Sequence, residues 1–202
     1  MKYLKTFESQ TKEKFVFNKK LYYIAKKLTN NFGYNMLRYL SKGSFGYAFL
    51  LNDKKVLKIT SDPNEIKYVK EHLNIDSDCL VKYYKILKIP RSLISSTSYA
   101  ILMEYVIPIN DELKSLYTRL FIKFKYFSEI LEGVMNDEMK KELYDFIEND
   151  DIKNKEESKH FIKKFIEFGI KLSKENLRDP FEAHTDNIGW RDGNLIYFDI
   201  KG

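Results

Sequence analysis

Leu21, Ile24, Ala25 and Leu28 fall at i, i+3, i+4 and i+7, the spacing that lines one side of an α-helix. Residues 19–32 therefore read as a helix, with Gly33 as its C-terminal cap. The period then changes. Residues 35–40 and 46–51 read as two strands joined by Ser41-Lys42-Gly43-Ser44-Phe45, and Lys55 to Ile59 as a third strand after the turn Asn52-Asp53-Lys54. Ser61-Asp62-Pro63-Asn64-Glu65 has the marks of a helix start: a capping side chain, an early proline and acids near the positive end of the helix dipole. That helix is expected to reach Leu73. Residues 81–89 and 99–106 alternate as two more strands, with Pro90 to Ser98 as a loop. The second half reads as helices over 111–134, 137–148 and 155–176, the last with Phe161, Phe165, Phe168 and Leu172 on its core face. Residues 187–191 and 195–200 flank Asp192-Gly193, a two-residue hairpin signal. The pattern predicts an α+β, bilobal layout: a five-stranded lobe with one helix, then a mostly helical lobe that ends in a hairpin.

The chain has 202 residues, which fits one domain or one domain in two lobes. At 44% hydrophobic and 15% aromatic it carries enough apolar material for a core. Lys and Arg number 35 against 29 Asp and Glu, a net charge of +6 that suits an anionic ligand. The basic residues are interleaved with acids, so solvated faces are favoured over a nucleic-acid stripe, and a nucleic-acid partner ranks last. The single cysteine, Cys79, excludes an internal disulfide and a cysteine zinc site. His72, His160 and His184 are too scattered in sequence to predict a histidine metal cage. An apolar run of ~18 residues is absent, so no membrane partner is expected. Met1-Lys2-Tyr3-Leu4-Lys5 lacks the apolar region of a signal peptide, and a cytoplasmic location is the expectation.

Four segments carry candidate chemistry. Ser41-Lys42-Gly43-Ser44-Phe45-Gly46 lies between two strands, and glycine lets backbone approach phosphate oxygens; most such turns are only hairpins. Lys58 stands inside the apolar strand Val56-Leu57-Lys58-Ile59, as a solvated strand lysine or as an ammonium for nucleotide phosphates. A carboxylate to hold it could come from Glu65 or from Glu71. Ile101-Leu102-Met103-Glu104-Tyr105-Val106 is a strand running into a turn at Pro108. Last, Asn187 and Asp199 stand at the two ends of the terminal hairpin. An amide oxygen and a carboxylate converging there would suit Mg²⁺, a hard cation that takes oxygen ligands.

In their order these segments resemble the protein-kinase-like superfamily: glycine loop, lysine strand, helix with Glu, hinge, catalytic loop and Asp-Phe-Gly. The matching positions are Ser41-x-Gly43-x-x-Gly46-x-Ala48, Lys55-Val56-Leu57-Lys58, Glu65, Met103-Glu104-Tyr105-Val106, Glu182 through Asn187, and Asp199-Ile200-Lys201-Gly202. The loop Glu182-Ala183-His184-Thr185-Asp186-Asn187 is similar to that of aminoglycoside phosphotransferases and of kinase-like proteins in bacteria and phages. The resemblance covers about residues 34–202. It implies a helical extension over 1–33, a kinase-like N-lobe over 34–106 and a truncated C-lobe over 107–202.

It also implies roles. ATP and Mg²⁺ would be the cofactors. Gly43, Ser44, Phe45 and Gly46 would cover the phosphates, and Lys58 would bind them and pair with Glu65. The Glu104 carbonyl and the Val106 backbone would bond the adenine, with Ala48 and Val56 packed on it and Met103 behind. Asn187 and Asp199 would hold the metal, and Glu182 would face the acceptor. The implied function is an ATP/Mg-dependent phosphotransferase of unknown acceptor, with nucleotidyl transfer as a variant. The alternative is a pseudokinase that binds a nucleotide or a protein partner.

The sequence departs from the pattern at Ser41, at the extra residue in Asp-Ile-Lys-Gly, and at Glu182, where an aspartate is expected. Asp179 follows an arginine, as in an Arg-Asp pair, but lies eight residues before Asn187, which is three too many. The sequence runs only three residues past Asp199, so the expected C-lobe lacks an activation segment and a peptide-docking surface. Exposed apolar surface left by the missing helices would suit a partner or a homo-oligomer.

Overall fold

The computed structural model describes residues 19–42, 46–94, 97–124, 129–130, 134–149, 152, 154–175 and 187–198. Helix α1 (Lys19–Asn31) ends as predicted. Tyr34 N–H donates to Thr29 O and Gly33 N–H to Asn30 O, both at 3.0 Å, with Gly33 at φ +80°. These are the two bonds that close a helix on a left-handed glycine.

Five strands follow: β1 (Met36–Lys42), β2 (Gly46–Leu51), β3 (Lys55–Thr60), β4 (Tyr83–Ile89) and β5 (Ser98–Glu104). They form an antiparallel sheet in the order β1-β2-β3-β5-β4. Side chains alternate across it. Phe49, Leu51, Leu57, Ile59, Ala100 and Leu102 share one buried cluster with Leu21, Ile24 and Ala25 of α1. Helix α1 therefore covers one face of the sheet.

On the other face, Ala48, Val56, Ile101 and Met103 belong to a second cluster. Helix α2 (Pro63–Glu71) adds Val69 and Tyr68 to it. This helix stops two residues before the expected Leu73, with His72 as its C-terminal cap.

The second half holds α3 (Asp111–Lys123), α4 (Asp137–Asn149) and α5 (Lys155–Lys174). Phe161, Phe165, Phe168 and Leu172 of α5 are buried in a third cluster with Leu113, Leu116, Leu120, Leu143 and Ile147. The expected helix over 111–134 is cut short. Phe124 turns to extended backbone at φ −109°, ψ 108°. Its ring meets Phe146 of α4 edge to face at 5.7 Å, so aromatic packing takes over from helix continuation.

A second departure is β6 (Ile107–Pro108), which the sequence reading treats as a turn. It pairs with β7 (Ile188–Arg191), and β7 pairs with β8 (Asn194–Tyr197), giving a three-stranded sheet. Pro108 sits on the edge strand, where a missing N–H is tolerated. Asp192 at φ +48° and Gly193 at φ +78° make the predicted hairpin turn. No helix among the described residues is long and apolar enough to cross a membrane.

Candidate functional site

Lys58 sits in mid-strand, paired with Ala48 on β2 and Ile101 on β5. Its neighbours Leu57 and Ile59 point toward α1, so alternation sends Lys58 to the opposite face. There α2 supplies the counter-charge. Asp62 caps the helix, accepting from Asn64 N–H at 2.9 Å and Glu65 N–H at 3.5 Å, and Pro63 opens its first turn. This start places Glu65 in the first turn, where the helix dipole favours an acid. Lys58 Nζ lies 2.6 Å from Glu65 Oε1, with the side chains only 18% and 9% exposed. Of the two candidate carboxylates, Glu65 is the one paired; Glu71 ends the helix and is exposed.

The predicted base-lining residues also meet. Val56 is the cross-strand neighbour of Met103. Both share a cluster with Val106 and Ala48. That cluster extends to Leu40 of β1, Ile196 of β8 and Phe198, which the sequence reading did not single out. Ile196 is a hairpin residue 90 positions beyond Val106, and only the packing of the two sheets brings it there.

Glu104 is more heavily used than the sequence indicates. Its N–H donates to Lys82 O at 2.9 Å. Its carboxylate meets Arg191 Nη1 at 3.3 Å and accepts from Lys82 N–H at 3.4 Å. The adjoining Tyr105 N–H donates to Lys54 O at 2.9 Å, which pins the segment to the β2–β3 turn. Arg191 has no sequence signal beyond being a lone arginine at a strand end.

Gly46 opens β2 opposite Thr60. A Cβ on it would lie 2.5 Å from Ile59 O, so the sheet itself demands this glycine.

Asn187 is 3% exposed at the foot of the hairpin, and its carbonyl accepts from Phe198 N–H at 2.9 Å. The hairpin thus closes Asn187 against the residue before Asp199. Gly43, Ser44, Phe45, Asp179, Glu182, Asp199 and the rest of Asp-Ile-Lys-Gly lie outside the described residues. Among the described residues no three His, Cys, Asp or Glu side chains converge as a metal site. A buried amide next to the hairpin's closing bond is chemically suited to one ligand of a hard cation.

No protein-family model matches the chain, and no curated protein matches it. Among solved structures, the crystal structure of a kinase domain is similar to it, at 18% identity and a TM-score of 0.31. The similarity covers 50% of this chain and 31% of that one.

Proposed function

We propose that the chain has a bilobal kinase-like fold and acts as an ATP- and Mg²⁺-dependent phosphotransferase. The observation that carries this reading is the Lys58–Glu65 ion pair on the sheet face that also presents Ala48, Val56 and Met103. A strand lysine held by a helix carboxylate beside an apolar, sheet-lined cluster suits the phosphates and base of one nucleotide.

In this reading Glu65 fixes the ammonium of Lys58, so the cation needs no reorganisation to meet the α- and β-phosphates. Ala48, Val56, Met103, Val106 and Ile196 exclude water around the base, and backbone groups of Glu104 and Val106 orient it. Asn187 and Asp199 would hold Mg²⁺, which when bound neutralises charge on the phosphate oxygens. Glu182 takes the proton from the acceptor hydroxyl as that oxygen bonds the γ-phosphorus. The bond from the γ-phosphorus to the bridging oxygen breaks, and ADP leaves.

The glutamate at 182 also supports a second reading, a nucleotide-binding module without turnover. The test is nucleotide affinity by calorimetry with and without Mg²⁺, joined to transfer of γ- or α-labelled phosphate. Lys58→Ala removes a charge-assisted contact worth ~1.5–3 kcal/mol, so ATP should bind about ten-fold more weakly or worse. Lys54→Ala and Lys55→Ala serve as controls. Asp199→Asn should remove the Mg²⁺-dependent gain. Equal ATP affinity in folded Lys58→Ala rejects the site. Binding without transfer of either label selects the non-catalytic module, and transfer of the α-label selects nucleotidyl transfer.

A further inference from the structure

We infer that Arg191 is a positioning residue for the nucleotide base: its guanidinium clamps the end of β5, where Glu104 lies, to the terminal hairpin that carries Ile196. This deepens the function proposed above and rests on it for the effect on binding.

The hairpin meets the 104–108 segment at two points. The first is backbone against backbone. Gly189 of β7 pairs with Pro108 of β6. A Cβ on Gly189 would lie 2.5 Å from Val106 Cγ1 and 2.6 Å from Ile107 O, so glycine is what lets the two segments approach.

The second point is Arg191, two residues further along β7. Its Nη1 lies 3.3 Å from Glu104 Oε2 and donates to Leu80 O at 3.2 Å, and its Nη2 donates to Ser77 O at 2.7 Å. One planar fork thus serves three acceptors, on the end of β5 and on the 77–80 link between α2 and β4. The Arg191 and Glu104 side chains are each only 20% exposed, so water competes weakly for them. Glu104 is also tied to Lys82: its N–H donates to Lys82 O at 2.9 Å, and its carboxylate accepts from Lys82 N–H at 3.4 Å. Without Arg191 the carboxylate keeps only the longer of these side-chain bonds and turns toward water.

The clamp matters because of what stands on either side of it. Met103 precedes Glu104 on β5 and shares a buried cluster with Val56, Val106 and Ile196. Arg191 pairs across the hairpin with Asn194, two residues before Ile196. Holding Glu104 to Arg191 therefore fixes Ile196 relative to Met103 and Val56, the two sides between which the base would lie, and fixes the Glu104 backbone that would orient it. The Lys58–Glu65 pair, which would meet the phosphates, lies outside these bonds.

Arg191→Met keeps the stem and loses the fork; Arg191→Lys keeps the charge. The probes are ATP and inorganic tripolyphosphate, which lacks the base, both titrated by calorimetry without Mg²⁺. Arg191→Met should weaken ATP about ten-fold and leave tripolyphosphate unchanged. Arg191→Lys should still weaken ATP by at least about three-fold, because one ammonium does not reproduce the planar fork. A general loss of packing would weaken both probes. Amide hydrogen exchange of the full chain without ligand reads the clamp directly. Peptides covering 78–83 and 103–108 should exchange about ten-fold faster in Arg191→Met, with α3 and α4 unchanged. Should Arg191→Met fail to fold, Glu104→Gln is read in its place, since it removes the charge that Arg191 holds. Unchanged exchange over these peptides overturns the inference, as does unchanged ATP affinity, an equal loss on tripolyphosphate, or full rescue by lysine. A starting protein that binds neither probe overturns the proposed function instead, and the exchange result then decides the clamp.

Discussion

Removing the charge on Lys58 tests how the candidate site is held together. Lys58→Met keeps the aliphatic stem in the strand and deletes the ammonium that lies 2.6 Å from Glu65 Oε1. Glu65 is 7% exposed, so its carboxylate is left without this counter-charge in a poorly solvated position. Losing one member of a buried pair costs roughly 3–5 kcal/mol. With the Lys58 side chain 18% exposed, water enters to some extent and the expectation falls to about 2–3 kcal/mol. Against a total stability of about 5–15 kcal/mol this is readily measured. The assay is urea unfolding followed by far-ultraviolet circular dichroism and by the fluorescence of Trp190, the single tryptophan. Coincident transitions justify a two-state analysis. Glu65→Gln and the double variant complete a cycle, in which the double variant should lose less than the sum of the singles by about 1–3 kcal/mol. Single variants within about 0.5 kcal/mol of the starting protein, with no coupling, would refute the reasoning. The pair would then be an ordinary surface contact.

Three further outcomes follow from particular contacts. Gly46→Ala drives a Cβ to 2.5 Å from Ile59 O, a backbone atom, and should cost about 1–3 kcal/mol in thermal unfolding; an unchanged Tm would show that the sheet does not require this glycine. Asp62→Ala removes the cap of α2 and should cost about 1 kcal/mol, with Asp62→Asn near neutral; equal loss in both would disprove a capping role. Burial, with a smaller push from the charge of Glu175, raises the Cys79 thiol to about 12. In the unfolded chain it ionises near ~8.5. Between those values the unfolded state binds fewer protons, so this contribution is fully present below ~8.5 and is lost progressively as pH rises toward 12. Urea midpoints between pH 8 and 10 should therefore fall less steeply in Cys79→Ala, and parallel slopes would contradict the assignment.

Most elements could be read along the chain because their signals are local. The i, i+3, i+4, i+7 spacing marked α1, and a left-handed glycine closes it. Asp62-Pro63 set the start of α2, and Asp192-Gly193 the hairpin turn. Lys58 stood out because a charge inside an apolar strand needs a reason, and the capped helix start put Glu65 within reach of it. Where local signals were ambiguous the reading overshot. Nothing between Lys123 and Val134 forbids a helix, and the break at Phe124 comes from a partner on another helix.

By itself the sequence determined the periodicities, the caps and turns, and the chemical types available: a lysine flanked by apolar residues inside a strand, two nearby glutamates, and an amide and a carboxylate flanking a hairpin. Tertiary structure chose Glu65 over Glu71, because α2 turns Glu65 toward the sheet and leaves Glu71 in water. It also made Ile107–Pro108 a strand, by laying it along β7. Arg191 bonds Ser77, Leu80 and Glu104, at separations of 114, 111 and 87 residues. No periodicity or spacing rule reaches so far. Such contacts form only once the cores of the two sheets have closed, because only then do distant donors and acceptors lose water together and need one another.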